Sequence, residues 1–261
     1  MSWLSRLPID KFLLAIITAA VLASIFPATG VWVDVLDVAT TIAIGLLFFL
    51  YGARLSPSET LAGLRHWRLH VTILSFTYLL FPVLGLAIVA IVGPTVGPSL
   101  SSGLLYLTLV PSTVQSSIAF TSIAKGNVAG AVVSASASNI LGVFLTPALA
   151  WLLMSNTGRV EFTTSTIVDI MLQLFLPFVA GQLSRHWTAR FVNAHPQLKL
   201  VDRGSIVLVV YSAFSAGMRE GMWTQTSWTS LLVVLGVCVV ILAIMLGLTW
   251  WTARRLGFNR P

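Results

Sequence analysis

LLYLTLVPSTVQSSIAFTSIAKGN, Leu104 to Asn127, is apolar at its start and polar in its middle, where Pro111 is followed by Ser112, Thr113, Gln115, Ser116 and Ser117. It lies inside a run of 90 residues, Leu69 to Gly158, in which Lys125 is the only charge. No water-soluble fold hides so long an uncharged run, so lipid is the solvent of this segment. The whole chain agrees. Of its 261 residues 57% are hydrophobic and 9% charged, where a soluble domain carries roughly 25% charged, and the mean hydropathy is +0.93. These values exclude a soluble enzyme, a disordered chain and a nucleic-acid module. The net charge of +7 does not restore the last, because the basic residues form short clusters between apolar runs and not one basic face.

Pro111 removes a helical hydrogen bond in mid-span and clashes with the preceding turn. Bare backbone at that depth is costly unless protein or a wet cavity receives it. Two structures satisfy this constraint. One is a broken helix whose half-helix ends face a cavity for an ion or an anionic solute; the other is a proline kink whose hydroxyls bond back to their own helix. The next span carries Ser134, Ser136, Ser138 and Asn139, and Ala135, Asn139, Gly142 and Thr146 fall on one helical stripe. Small residues there permit close backbone approach. The amide of Asn139 has several groups to satisfy and asks for partners.

Working outward, spans of roughly 17 to 25 apolar residues are expected at Phe12–Pro27, Asp37–Gly52, Val71–Val92, Leu100–Ile123, Val128–Met154, Thr166–Leu183, Ser205–Gly217 and Leu231–Trp251. With the N-terminus inside, thirteen of the fifteen Lys and Arg fall on the cytoplasmic side: Arg6, Lys11, Arg54, Arg65, Arg68, Lys125, Arg185, Arg190, Lys199, Arg203, Arg254, Arg255 and Arg260. Arg159 and Arg219 fall outside. The apolar stretch after Arg6 and Lys11 has the charge pattern of a signal peptide, but a second apolar run follows at once, which reads as a retained first span.

Spans two and seven share a pattern. Asp37 precedes Gly52 and Arg54 at the spacing at which Asp202 precedes Gly217 and Arg219, an offset of 165. The alternatives are chance and an inverted repeat of five spans, and the opposite directions of the two spans fit the repeat. The first repeat then occupies residues 1–155 and a partial second, with spans six to eight, residues 156–261. Counterparts of spans four and five would need roughly 55 to 65 further residues, so a ten-span protein ending early is the expectation. The fold expected is therefore an all-α integral membrane protein of the inverted-repeat transporter type, with 5+5 spans (here 5+3) and a broken crossover helix in span four.

From Val110 through Pro147 the chain reads VPSTVQSSIAFTSIAKGNVAGAVVSASASNILGVFLTP. This resembles the fourth-to-fifth-span signature of the bile acid:sodium symporter superfamily, and most of all its SBF-like branch, related to solute carrier family 10 member 7. The resemblance implies a panel domain of spans one, two, six and seven and a core of spans three, four, five and eight onward. It implies sodium as a coupling ion, held by a Ser-Asn pair after the break and two hydroxyls on span five. Those positions hold Ser116, Ser117, Ala131 and Ala135 here, so the amide and both span-five hydroxyls are replaced. Most remaining sodium contacts would come from a ninth span.

The residues expected to bind solute or ion are Pro111, Ser112, Thr113, Gln115, Ser116, Ser117, Ser138 and Asn139. Asp169 reads either as a functional carboxylate inside span six or as a headgroup-level residue, and Gln173 one turn on as a cleft-lining or helix-bonding amide. His66, His70, His186 and His195 are expected in or beside the basic cytoplasmic loops, leaving no metal cluster within the membrane. Cys238 stands alone in an apolar run, so no disulfide or Cys-based metal site is expected. Trp250 and Trp251 read as interfacial anchors.

The function expected is a symporter-like secondary transporter working by alternating access on a small anionic organic solute. It would have no cofactor beyond a sodium ion, with the bilayer and the solute as partners, in a bacterial inner membrane. Two rivals stand beside it. A proton-coupled antiporter would need a titratable group in the core, expected from span nine since none is assigned between Leu69 and Lys125. A non-transporting regulatory membrane protein would tolerate apolar replacement of its polar break.

Overall fold

The computed structural model describes residues 11–54, 67–154, 164–195 and 197–257. Among these residues the regular structure is helical: α1 Lys11–Ile25, α2 Val31–Arg54, α3 Trp67–Val96, α4 Pro98–Leu107, α5 Val114–Ile123, α6 Val128–Met154, α7 Thr164–Ala194, α8 Leu198–Arg219, the single turn α9 Met222–Gln225, and α10 Trp228–Arg255. Helices stand at all eight expected spans, and α2, α3, α6, α8 (from Leu200) and α10 are each long and apolar enough to cross a membrane. Arg6, Arg65, His66, Arg159, Arg260 and the boundary at residue 155 lie outside the described residues.

The sequence-based ends are too tight. Span two gains a turn at its start and spans Val31–Arg54, because Asp34 and Asp37 are accommodated in the first turns of a helix, where negative charge is favourable. Span seven likewise extends to Leu198–Arg219. Span six does not stop at Leu183 but continues to Ala194, carrying Arg185, His186 and Arg190 on the helix and not in a loop. Within α3, residues Phe76–Leu80 form a π-helical segment in which the Phe81 N–H bonds to the Phe76 carbonyl. Pro82 follows, and its missing N–H and bulky ring give a local reason for the wider turn.

The chain divides into two compact units. The first comprises residues 1–55 and 172–227, hence α1, α2, most of α7, α8 and α9. There α1 runs parallel to α8: Arg203 stacks on the Phe12 ring, while Tyr211 and Ser215 bond to Phe26 and Ala28. Leu50, Ala53 and Val192 form its buried cluster. Gly52 and Gly181 let two backbones touch: a Cβ on Gly52 would overlap the carbonyl of Phe178, and one on Gly181 that of Phe49. Small residues at both faces of a crossing are what lipid-embedded helices use to approach closely.

The second unit comprises residues 56–171 and 228–261. In it α3 and α4 form one antiparallel hairpin and α5 and α6 another, and α10 packs on α3. The α5–α6 turn is specified residue by residue. Lys125 adopts φ 54°, and the Lys125 and Gly126 N–H groups close on the Ser122 and Thr121 carbonyls, which satisfies the end of α5. The Asn127 side chain then caps α6 by accepting the Gly130 N–H at 2.9 Å. Leu105, Leu109, Ala150 and Met154 form the buried cluster. Large apolar side chains such as Ile91, Phe120, Leu152 and Leu232 point outward, as lipid permits and water does not.

Candidate functional site

Span four is broken. The helix ends at Leu107 and resumes at Val114, so Pro111 sits in a non-helical connection and not at a bend in one helix. Thr108 and Leu109 close the end of α4 with N–H bonds to Leu105 and Tyr106, and both are fully buried. Gly85 of α3 makes room: a Cβ there would overlap the Thr108 side chain.

The backbone set free by the break is received by α6. Thr146 Oγ1 donates to the Leu109 carbonyl at 2.8 Å. Asn139 Nδ2 donates to the Ser112 carbonyl at 2.8 Å and to that of Ala135 at 2.8 Å. Ser138 Oγ accepts the Ser112 N–H at 3.2 Å. Tyr78 of α3 donates its hydroxyl to the Ser138 carbonyl at 2.5 Å, tying α3 to α6 beside the break. Gly142 gives the space for this: a Cβ there would stand 2.8 Å from the Tyr78 hydroxyl and 2.9 Å from the Pro111 ring. These bonds explain how irregular backbone survives at a depth where unpaired polar groups are costly.

On its other side the break borders a cavity of about 540 Å³ within the second unit. Its walls are Leu69, Thr72, Ile73, Phe76, Thr77 and Phe81 of α3, Leu107 of α4, Val110 to Thr113 of the break, and Met245, Thr249 and Ala253 of α10. None of the described wall residues is charged. Thr72, Thr77 and Thr249 each donate to a carbonyl of their own helix, so what these hydroxyls have left to offer is acceptor capacity. Thr113 precedes α5 in extended conformation and its side chain caps no N–H. The first-turn N–H groups of α5, which a helix cannot pair internally, therefore lie beside the Val110–Thr113 wall with a partial positive charge.

Of the expected site residues, Pro111, Ser112 and Thr113 line the cavity. Ser117 joins them through a 3.0 Å hydroxyl contact with Ser112. Ser138 and Asn139 stand behind the break and spend polar groups on its backbone. Ser116 is exposed on α5, and the Gln115 side chain lies outside the described residues. Tyr78, Thr146 and the three cavity threonines belong to the same assembly; the mid-span placement of Tyr78, Thr77 and Thr146 is a signal that could have found those three, while Thr72 and Thr249 stand near span ends and carry none. Asp169 is exposed near the start of α7.

His70 stands beside the basic loop, one turn into α3, but is buried there at 5% exposure, with Nδ1 2.9 Å from Ser134 Oγ of α6. The helix already includes Arg68, ahead of the expected span start at Val71. A titratable group therefore does stand between Leu69 and Lys125. Among the described residues, no group of three or more His, Cys, Asp or Glu side chains could hold a metal ion.

Known proteins place this architecture. The model of the SBF-like CPA transporter family matches residues 10–261. A protein of Pseudomonas aeruginosa is 49% identical over 252 residues, covering 96% of this chain and 76% of the relative. A protein of Escherichia coli K12 named "Putative symporter YfeH" is 47% identical over 253 residues, covering 97% and 76%. A more distant relative, the Danio rerio sodium/bile acid cotransporter 7, is 25% identical over 219 residues, covering 82% and 65%. The resemblance carried by Val110–Pro147 thus extends along the chain, which belongs to the SBF-like CPA transporter family and is a multi-pass membrane transporter, not an enzyme.

Proposed function

We propose that the chain is a secondary transporter that moves a small anionic organic solute together with a cation by alternating access. The observation that carries this reading is the span-four break, whose backbone is held by α6 while its open side meets the cavity. The first turn of α5 offers N–H groups to an anion. The back-bonded threonines across the cavity offer lone pairs to a cation. One cavity with both faces suits an ion pair better than either ion alone. The names of the relatives, a symporter and a sodium/bile acid cotransporter, agree with coupled movement, and sodium is the ion the resemblance implies.

In this reading the first unit is the panel and the second the core, built from repeats at residues 1–155 and 156–261. The protein sits in a bacterial inner membrane with its N-terminus in the cytoplasm, where thirteen of fifteen basic residues then lie. Charge-movement recordings on proteoliposomes test it, with a panel of small carboxylates, sulfates and phosphate monoesters offered in sodium and in choline. At least one anion should give a current, and Ser112→Val with Ser117→Val should reduce it about tenfold or more in protein that still folds. Currents unchanged by the double substitution would remove the break from the transport path.

A further inference from the structure

We propose that His70 is a proton-binding site of this transporter and that the proton taken there is moved with the solute in addition to the cation held in the cavity. The inference deepens the transport reading and rests on it for its role, though proton binding is measurable by itself. His70 stands one turn into α3, roughly 5 Å from Trp67 along the axis. It is 5% exposed, and its Nδ1 is 2.9 Å from Ser134 Oγ. Leu69, Thr72 and Ile73, its neighbours on α3, are walls of the cavity that ends at Ser112. The imidazole itself is not among the cavity's wall residues; it meets α6 at Ser134, one turn from Ser138, which holds the break.

The two protonation states differ in what they require of α6. A neutral ring has one donor and one acceptor nitrogen, and a serine hydroxyl can serve either; the tautomer present is an assignment from the hydrogen-bond network. When a proton from water binds the neutral ring, both nitrogens become donors and Ser134 Oγ must accept. One helical turn further along α6, Ser138 and Asn139 hold the Ser112 backbone and Tyr78 holds Ser138. The protonation state of His70 thereby reaches the helix that positions the break. It also adds one positive charge near a cavity whose described wall residues carry none, which favours entry of an anion.

The ionisable groups around His70 are few among the described residues. Its own helix carries Arg68, exposed, and Tyr78 in the π segment. The packed face of α6 carries none between Val128 and Met154. Across the cavity, Arg254 and Arg255 of α10 lie over the rings of Trp250 and Trp251.

The probe is the proton itself, applied to proteoliposomes on a solid-supported membrane as a jump from pH 8 to pH 6 without solute. That interval brackets imidazole chemistry and leaves ordinary carboxylates ionised. The wild-type protein should give a charge displacement, and His70→Gln should lose about nine-tenths of it at unchanged thermal stability. The triple variant His66→Gln, His186→Gln, His195→Gln leaves His70 as the only histidine and keeps the test valid should His70→Gln fail to fold. It should retain the displacement. Absence of displacement in the wild type, its loss in the triple variant, or its persistence in folded His70→Gln each overturns the proposal. A wild-type displacement lost with His70 supports proton binding whatever the anion panel shows, and anion currents without it leave the transport reading standing alone.

Discussion

Arg54, the last residue of α2, is ion-paired with Asp202 in the second turn of α8, 148 positions away in sequence. The side chains are 25% and 16% exposed, so the pair is half-shielded from water and stronger than the surface median of about 0–1 kcal/mol. Its counterpart in the sequence pattern is Arg219, yet that guanidinium donates to the Ala28 carbonyl and to Ser215 at 3.2 Å each. It completes the backbone after α1 and does not repeat the ion pair. The two ends of the pattern have therefore diverged in use.

From this pair follows a double-mutant cycle. Arg54→Ala and Asp202→Ala should each lower stability, and their coupling should be about 1–2 kcal/mol, because either survivor leaves a partly buried charge unpaired. Thermal unfolding of the detergent-solubilised protein measures it. Additive effects of the two substitutions would mean that the pair contributes nothing beyond solvation of its members.

Gly52 and Gly181 give a sharper expectation, since both added methyl groups would meet backbone and not a flexible side chain. Gly52→Ala or Gly181→Ala should destabilise the first unit by about 2 kcal/mol or more, as overpacking of a fitted contact does. Gly236→Ala on α10 is the matched control, with nothing within 4 Å of its added Cβ. It should be neutral or slightly stabilising through helix propensity. Melting temperatures of the three variants separate steric contact from a general intolerance of alanine.

The spans and the break were legible because lipid imposes a strong rule: uncharged length means crossing, and proline amid hydroxyls in such a length means backbone that needs partners. The partners themselves were only partly legible. Asn139 could be flagged as an amide needing satisfaction, but its acceptor, the Ser112 carbonyl, is fixed by the crossing of two helices and by Gly142, which local pattern does not encode. The burial of His70 was illegible for a related reason: its partner Ser134 stands on another span, while its neighbours in sequence, Arg65 and Arg68, marked only the edge of a basic loop. The ends of α2 and α7 escaped because charged residues continue a helix as readily as they end it.

Asn139→Ala should remove the donor to the Ser112 carbonyl, and Thr146→Val the donor to that of Leu109. Each leaves a carbonyl in the break without its side-chain partner, worth about 1–2 kcal/mol per site. Both should lower melting temperature and reduce solute current together, since the same bonds hold the cavity wall. A current lost at unchanged stability would instead assign Asn139 a direct role with the solute.

Pro111→Ala decides what keeps span four open. Proline costs about 3 kcal/mol in a helix interior, so its removal favours a continuous helix by that order. Opposing this are the Ser138, Asn139 and Thr146 bonds to the break, each worth about 1 kcal/mol, together with the α5–α6 turn, which closing the break would displace. The two sides nearly balance, and the turn tips the result toward an open break in Pro111→Ala. Thr113, exposed at the start of α5, reports it: as Thr113→Cys in a Cys238→Ser background it should react with a water-soluble maleimide in wild type and in Pro111→Ala alike. Adding Asn139→Ala and Thr146→Val to Pro111→Ala should cut that labelling about fivefold or more as the helix closes. Labelling lost in Pro111→Ala alone would make the proline, and not the α6 side chains, the element that holds the site open.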